Sequence, residues 1–193
     1  MIKAVRRLPS VLSLAAVAAL SVTLAACGSG ASDETGAGPA EPKVGSIATS
    51  DRTYSIADFE AAGFKKSKTY DVTGLPKAVS AYYGFWGPDP YSRNDYEVRF
   101  YATHDDAVNS GEAMVIERIG KGAKLTEETA AWTVGVRDAR KCVGVQGQAQ
   151  HAARCTEAKY YDYMIVGNMV MLCPGDATDI ARKNCEALLV EMH

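Results

Sequence analysis

The chain from residue 50 onward predicts an α+β domain, a single small antiparallel sheet with helices packed on one face and two disulfides. Three observations carry that prediction. Tyr161 to Cys173 is a continuous β-prone run split by Gly167-Asn168, a two-residue hairpin turn. Tyr96 to Tyr101 alternates in strand fashion, with Tyr96, Val98 and Phe100 on one side and Glu97, Arg99 and Tyr101 on the other. Capped amphipathic stretches lie between and after the strands, so the expected order is helix, two strands, helix, two strands, helix.

The first helix is signalled by Ser55-Ile-Ala-Asp58, where Ser55 caps and Asp58 replies, with Gly63 as a stop. Ile56, Phe59 and Ala62 share its inner face. Ala78 to Trp86 is aromatic and reads as a strand, with a short helix opened by Pro76 as the competing reading. After the strand Tyr96–Tyr101, Thr103-His-Asp-Asp106 opens a second helix by the same capping logic. Its buried stripe is Ala107, Val108, Gly111, Met114 and Val115, and Gly120-Lys-Gly122 ends it. Residues 123–160 read mostly as loop, with one helical turn capped by Thr126.

Pairing about Gly167-Asn168 places Tyr163, Ile165, Val170 and Leu172 on one face of the hairpin. Met164, Val166, Met169 and Met171 lie on the other. Both faces are apolar, so the hairpin must be central or covered twice. A last helix starts near Asp176 or Thr178 and carries Ala181, Cys185, Leu188 and Met192 on one stripe.

The N-terminus is of another kind. Lys3, Arg6 and Arg7 form a basic head, Val11 to Leu24 is mainly apolar, and small residues surround Leu24-Ala25-Ala26-Cys27-Gly28. This is the order of an export signal. Leu24 to Cys27 resembles the bacterial lipobox: Leu, two small residues, then Cys. The resemblance covers the first 27 residues. It implies that Leu24, Ala25 and Ala26 are recognised, that cleavage falls before Cys27, and that Cys27 carries the lipid. Two or more acyl chains anchor stably where one binds reversibly. An uncleaved membrane helix is the alternative, but Pro9, Ser10 and Ser13 interrupt the start of a stretch barely long enough to span. Arg6-Arg7 lacks the other residues of a twin-arginine signal, which favours general secretion.

The organisation expected is therefore a signal peptide over 1–26, a Gly-, Ser-, Ala- and Pro-rich tether over 27–49 and a globular domain over 50–193. The expected location is the outer face of a bacterial cell membrane, held by lipid. The whole chain carries a net charge of −2, and without its three basic leader residues 18 basic residues stand against 23 acidic ones. An acidic domain without a Lys/Arg cluster argues against nucleic acid as a partner.

Setting Cys27 aside leaves Cys142, Cys155, Cys173 and Cys185, which in an exported chain read as two disulfides with three possible pairings. The local pairing, Cys142–Cys155 and Cys173–Cys185, is favoured because the first bridge would staple a loop with few apolar residues. The second is under tension. Cys185 sits roughly 10 Å along its helix from the start, so Cys173 reaches it only if Pro174-Gly175 climbs back.

Catalytic patterns are mostly absent: G-x-S-x-G, H-E-x-x-H, P-loop and dinucleotide fingerprints do not occur. His104, His151 and His193 are scattered, and no cofactor is expected. Two constellations could bind. The loop Trp86 to Asp95, with Tyr82, Tyr83 and Tyr96 beside it, offers Trp86, Tyr91 and Arg93 to a sugar or peptide. The plainer reading packs those aromatics on the sheet. Met164, Met169 and Met171 are soft thioethers suited to Cu(I), but on a hairpin face they read as core filling, and no metal site is expected. The function expected is a non-catalytic binding or interaction module whose partner is an envelope protein, a peptide or a glycan. An extracytoplasmic enzyme using carboxylates and a structural envelope protein are the competing classes.

Overall fold

The computed structural model describes residues 45–89, 91–143 and 154–193, all within the compact unit 40–193. The signal residues Leu24, Ala25, Ala26 and Cys27 lie outside them. The elements in order are β1 (Ser46–Ala48), α1 (Ile56–Ala61), β2 (Lys65–Tyr70), β3 (Ala78–Trp86) and β4 (Asn94–Tyr101). A helical segment follows, made of α2 (His104–Asp106), a π turn (Ala107–Gly111) and α3 (Glu112–Ile116). Then come β5 (Arg140–Val143), β6 (Arg154–Ala158), β7 (Tyr160–Val166), β8 (Met169–Pro174) and α4 (Thr178–Glu191). Six strands form one sheet in the order β1-β7-β8-β4-β3-β2, and β5-β6 form a separate ribbon.

The class is α+β, as expected, and both favoured disulfides are present. Two details differ from the expected arrangement. β1 pairs parallel to β7, with Ser46 opposite Met164, so the sheet is mixed and begins before residue 50. Helices also cover both faces of the sheet rather than one. The physical reason is the β7–β8 hairpin, which occupies the middle of the sheet and is apolar on both sides.

One face of that hairpin, with Met164, Val166, Met169 and Met171, packs with Tyr96, Val98 and Phe100 against Phe59 of α1 and Ala181, Cys185 and Leu188 of α4. The three methionines suggested as soft ligands are buried in this core. The other face, with Tyr163, Ile165, Val170 and Leu172, packs against Ala107 and Val115. There the π turn brings Gly111 so close to the sheet that a Cβ would stand 2.9 Å from the Tyr101 ring and from Val170.

Local signals explain the boundaries. Ser55 and Asp58 form the capping box of α1, and Thr103 Oγ1 accepts from the Asp106 amide at 3.1 Å to start α2. The Pro174-Gly175 segment does climb back. Gly175 lies against Ala181, and Asn184 Nδ2 donates to the Pro174 carbonyl at 2.8 Å, which leaves Cys173 and Cys185 with Cα atoms 5.4 Å apart.

β2 was not foreseen. Its sequence, Lys-Lys-Ser-Lys-Thr-Tyr, has five exposed residues and one buried, so no apolar alternation marks it. It forms the sheet edge, where lysines discourage pairing with another chain.

The hairpin turn does more than reverse the chain. Asn168 is buried, its Oδ1 accepts from the Tyr54 amide at 2.7 Å, and its Nδ2 donates to the carbonyls of Tyr54 (3.1 Å) and Tyr101 (3.0 Å). One side chain therefore joins β8, the approach to α1 and the end of β4. Asn168→Ala removes these bonds and strands buried backbone groups, each worth roughly 1–3 kcal/mol. A urea titration should show a loss of about 3 kcal/mol with an unchanged m-value.

Candidate binding groove and its polar surroundings

The chain forms a groove of about 850 Å³ on the side of the sheet that carries α3. Tyr161 and Tyr163 of β7 make its floor. One lip comes from Ile116, Ile119 and the turn Gly120-Lys121-Gly122, and the other from Asp176 to Asp179 at the start of α4. Its volume lies within the range of small-molecule sites.

Each part is set by the fold. Tyr163 points to this face through strand alternation, and its hydroxyl donates to Glu112 Oε1 of α3 at 2.5 Å. Burial pushes that hydroxyl above the usual tyrosine range, and the bond to Glu112 adds to it. Two consecutive carbonyls then hold the lips. Lys159 O accepts from the Gly175 amide at 3.1 Å, and Tyr160 O accepts from the Gly120 amide at 2.8 Å. Asp176 pairs with Lys141 Nζ at 2.5 Å. Ile116 is 52% exposed, so part of the apolar wall faces solvent.

Beside the groove, under β3 and β4, lies a polar layer that the sequence did not announce. Glu97 and Arg99 are fully buried and Arg118 nearly so. Glu97 Oε1 accepts from Arg99 Nε at 2.8 Å, and its Oε2 accepts from Arg118 Nη1 at 3.1 Å. Both guanidinium groups stack on the Trp132 ring, 5.0 and 4.8 Å from its centre. Arg118 also donates to the carbonyls of Trp132 (2.7 Å) and Val134 (2.9 Å), which ties the segment after α3 to the sheet.

Two Lys–Tyr–Asp sets follow toward the surface. Tyr70 donates to Asp138 Oδ2 at 2.7 Å, and Lys68 binds the other oxygen at 2.6 Å. Tyr83 donates to Asp95 Oδ2 at 2.7 Å, and Lys159 bridges the same pair. Burial raises the hydroxyls of Tyr70 and Tyr83 well above the ordinary range, with Glu97 contributing at Tyr70 and Asp95 at Tyr83. Tyrosines held in the neutral form act as donors, and here each hydroxyl donates to the carboxylate of its own set.

Where surroundings displace a carboxyl among the described residues, at Asp58, Asp71, Asp89, Glu117, Glu128 and Asp138, the value falls. At Asp138 burial works upward, but hydrogen bonds from Lys68 and Tyr70 and the charges of Lys68 and Lys159 outweigh it. Among the described residues no cluster of three or more His, Cys, Asp or Glu side chains is placed to hold a metal ion.

The aromatic loop residues do not converge. Trp86 is buried, its indole N–H donates to the Ala62 carbonyl at 2.9 Å, and it packs on Tyr96. Tyr91 is 97% exposed on a turn made by Asp89, whose Oδ1 accepts from the amides of Tyr91 and Ser92. Arg93 is exposed nearby. The groove instead lies between the turn Gly120-Lys121-Gly122, which the sequence presents only as a helix end, and the start of α4 at Asp176 to Asp179.

Residues 55–193 match the Family of unknown function (DUF6810), and the chain belongs to that family. No curated protein and no solved structure matches it. Among the described residues no helix is long and apolar enough to cross a membrane.

The buried triad gives a direct test. Glu97→Ala leaves two guanidinium groups without their shared carboxylate, and breaking such a buried pair costs about 3–5 kcal/mol. Thermal melts should show a correspondingly large fall in midpoint. Proteolysis should become easier first in the segment after Arg118, which Arg118 holds to the sheet.

Proposed function

We propose that this protein is a lipid-anchored, extracytoplasmic binding module that takes a small, partly apolar ligand, such as a peptide or glycan fragment, in the groove floored by Tyr161 and Tyr163. One observation carries this reading. The groove offers an apolar floor with a few polar groups at its lips, the composition of a small-molecule binding site. Lys121 and Asp179 supply opposite charges from opposite lips, which suits orientation of a ligand bearing both donors and acceptors.

The location rests on the leader and on the disulfides. The basic head, apolar run and Leu24-Ala25-Ala26-Cys27 motif resemble a lipoprotein signal, and two intact disulfides suit an oxidising compartment. Cys27 would then be the membrane attachment point.

Mass spectrometry of the membrane fraction should find acylated Cys27 as the first residue. A Cys27→Ser protein that stayed uncleaved yet firmly in the membrane would instead favour a spanning helix. For the groove, Gly122 stands on one lip and has no neighbouring atom within 4 Å of where a Cβ would stand, so Gly122→Trp adds bulk at the lip from a position in open space. Full-length protein in detergent should enhance the fluorescence of anilinonaphthalene sulfonate, and Gly122→Trp should lose that enhancement at unchanged thermal stability. Equal enhancement by both proteins would rule out the groove as the binding site.

A further inference from the structure

The two disulfides stand in opposite surroundings. Cys173 and Cys185 are fully buried in the core beneath α4. Cys142 is exposed and Cys155 half-buried, and they face each other across the β5–β6 ribbon. Thiol–disulfide exchange needs access of a thiolate to a sulfur, so a reductant meets the ribbon bond first.

The ribbon is tied to the domain at its base, where Arg140 Nε donates to the Leu125 carbonyl at 2.7 Å and Ala158 joins the core. Among the described residues it has two strands of four and five residues and no third strand, and in β6 only Ala158 is buried. Such isolated pairs are marginal in water, which leaves the cross-link as a main source of order.

The base of the ribbon borders the groove. Lys159, the residue after β6, donates its amide to the Ala139 carbonyl at 2.9 Å, immediately before β5. The carbonyls of Lys159 and Tyr160 are the two that hold Gly175 and Gly120, one on each lip. The ion pair Lys141–Asp176 runs from β5 to the same lip, but its side chains are 42% and 68% exposed, so it adds little alone. The backbone bonds are the connection that matters.

We infer that the Cys142–Cys155 disulfide locks the spacing of the groove's lips and that its reduction by a dithiol loosens them, so that binding in the groove responds to redox state. The step balances: the dithiol gives two electrons and two protons, the S–S bond breaks into two thiols on this chain, and the dithiol becomes a disulfide. Cys173–Cys185 stays closed and keeps the core folded. The role in binding rests on the function proposed above, but the lock itself is testable without any ligand.

The experiment treats the full-length oxidised protein in detergent with graded dithiothreitol, traps thiols by alkylation, and follows amide exchange by mass spectrometry. Cys142 and Cys155 should be alkylated at reductant levels that leave Cys173 and Cys185 untouched. Exchange in 116–123 and 173–180 should then quicken by about tenfold or more, with 163–172 unchanged. A protein carrying both Cys142→Ser and Cys155→Ser should show the same pattern without reductant. Simultaneous reduction of both bonds would overturn the inference, as would alkylation of the ribbon pair with unaltered lip exchange. Loss of protection throughout 163–172 would overturn it too, since the bond would then be a staple of the whole fold. If the lips respond but anilinonaphthalene sulfonate binds neither form, the binding function fails while the lock stands.

Discussion

The architecture depends on one constraint, the hairpin of β7 and β8 with apolar side chains on both faces. A sheet with one wet face could leave its polar side open, but this one cannot. The chain answers with α1 and α4 on the methionine face and the α2–α3 segment on the face of Ile165 and Val170. Asn168 at the hairpin's turn then binds the approach to α1 and the end of β4, so the same two strands organise burial and connection together.

Elements whose signal is local or periodic were legible in the sequence. The capping box at Ser55, the split at Gly167-Asn168, the two hairpin faces and the buried stripe of α4 all follow from spacing, and the structure has them. The disulfide partners follow from local pairing, and the turn at Gly175 supplies the climb that Cys173–Cys185 requires by laying α4 back over β8. β2 carries no apolar period because its lysines face solvent at an edge. The ribbon strands β5 and β6 likewise bury almost nothing, so hydrophobic patterning could not mark them.

The candidate site was the least legible part, for a physical reason. Glu97, Arg99, Arg118 and Trp132 lie on separate elements, and a solvated reading of Glu97 and Arg99 fits the alternation of β4 equally well. Only the fold shows that the covering segment after α3 brings a second guanidinium to the same carboxylate. The groove is a space between a turn and a helix start, and both advertise where a chain bends rather than what the bend encloses. Trp86 shows the converse. An aromatic beside a polar loop suggested a ligand platform, while alternation along β3 turns its ring into the core.

β1 brings in a mechanical consequence. The described sheet takes in the chain after Gly45 through three residues, Ser46–Ala48, laid parallel to β7. At that junction the Gly45 amide donates to the buried Asp162 Oδ1 at 2.6 Å, and Arg182 of α4 contacts both the Asp162 carboxylate and the Gly45 carbonyl. A pull on the chain at Gly45 is therefore borne as shear along β1 and shared with the last helix through Asp162. The load reaches the floor strand of the groove before it reaches any other strand.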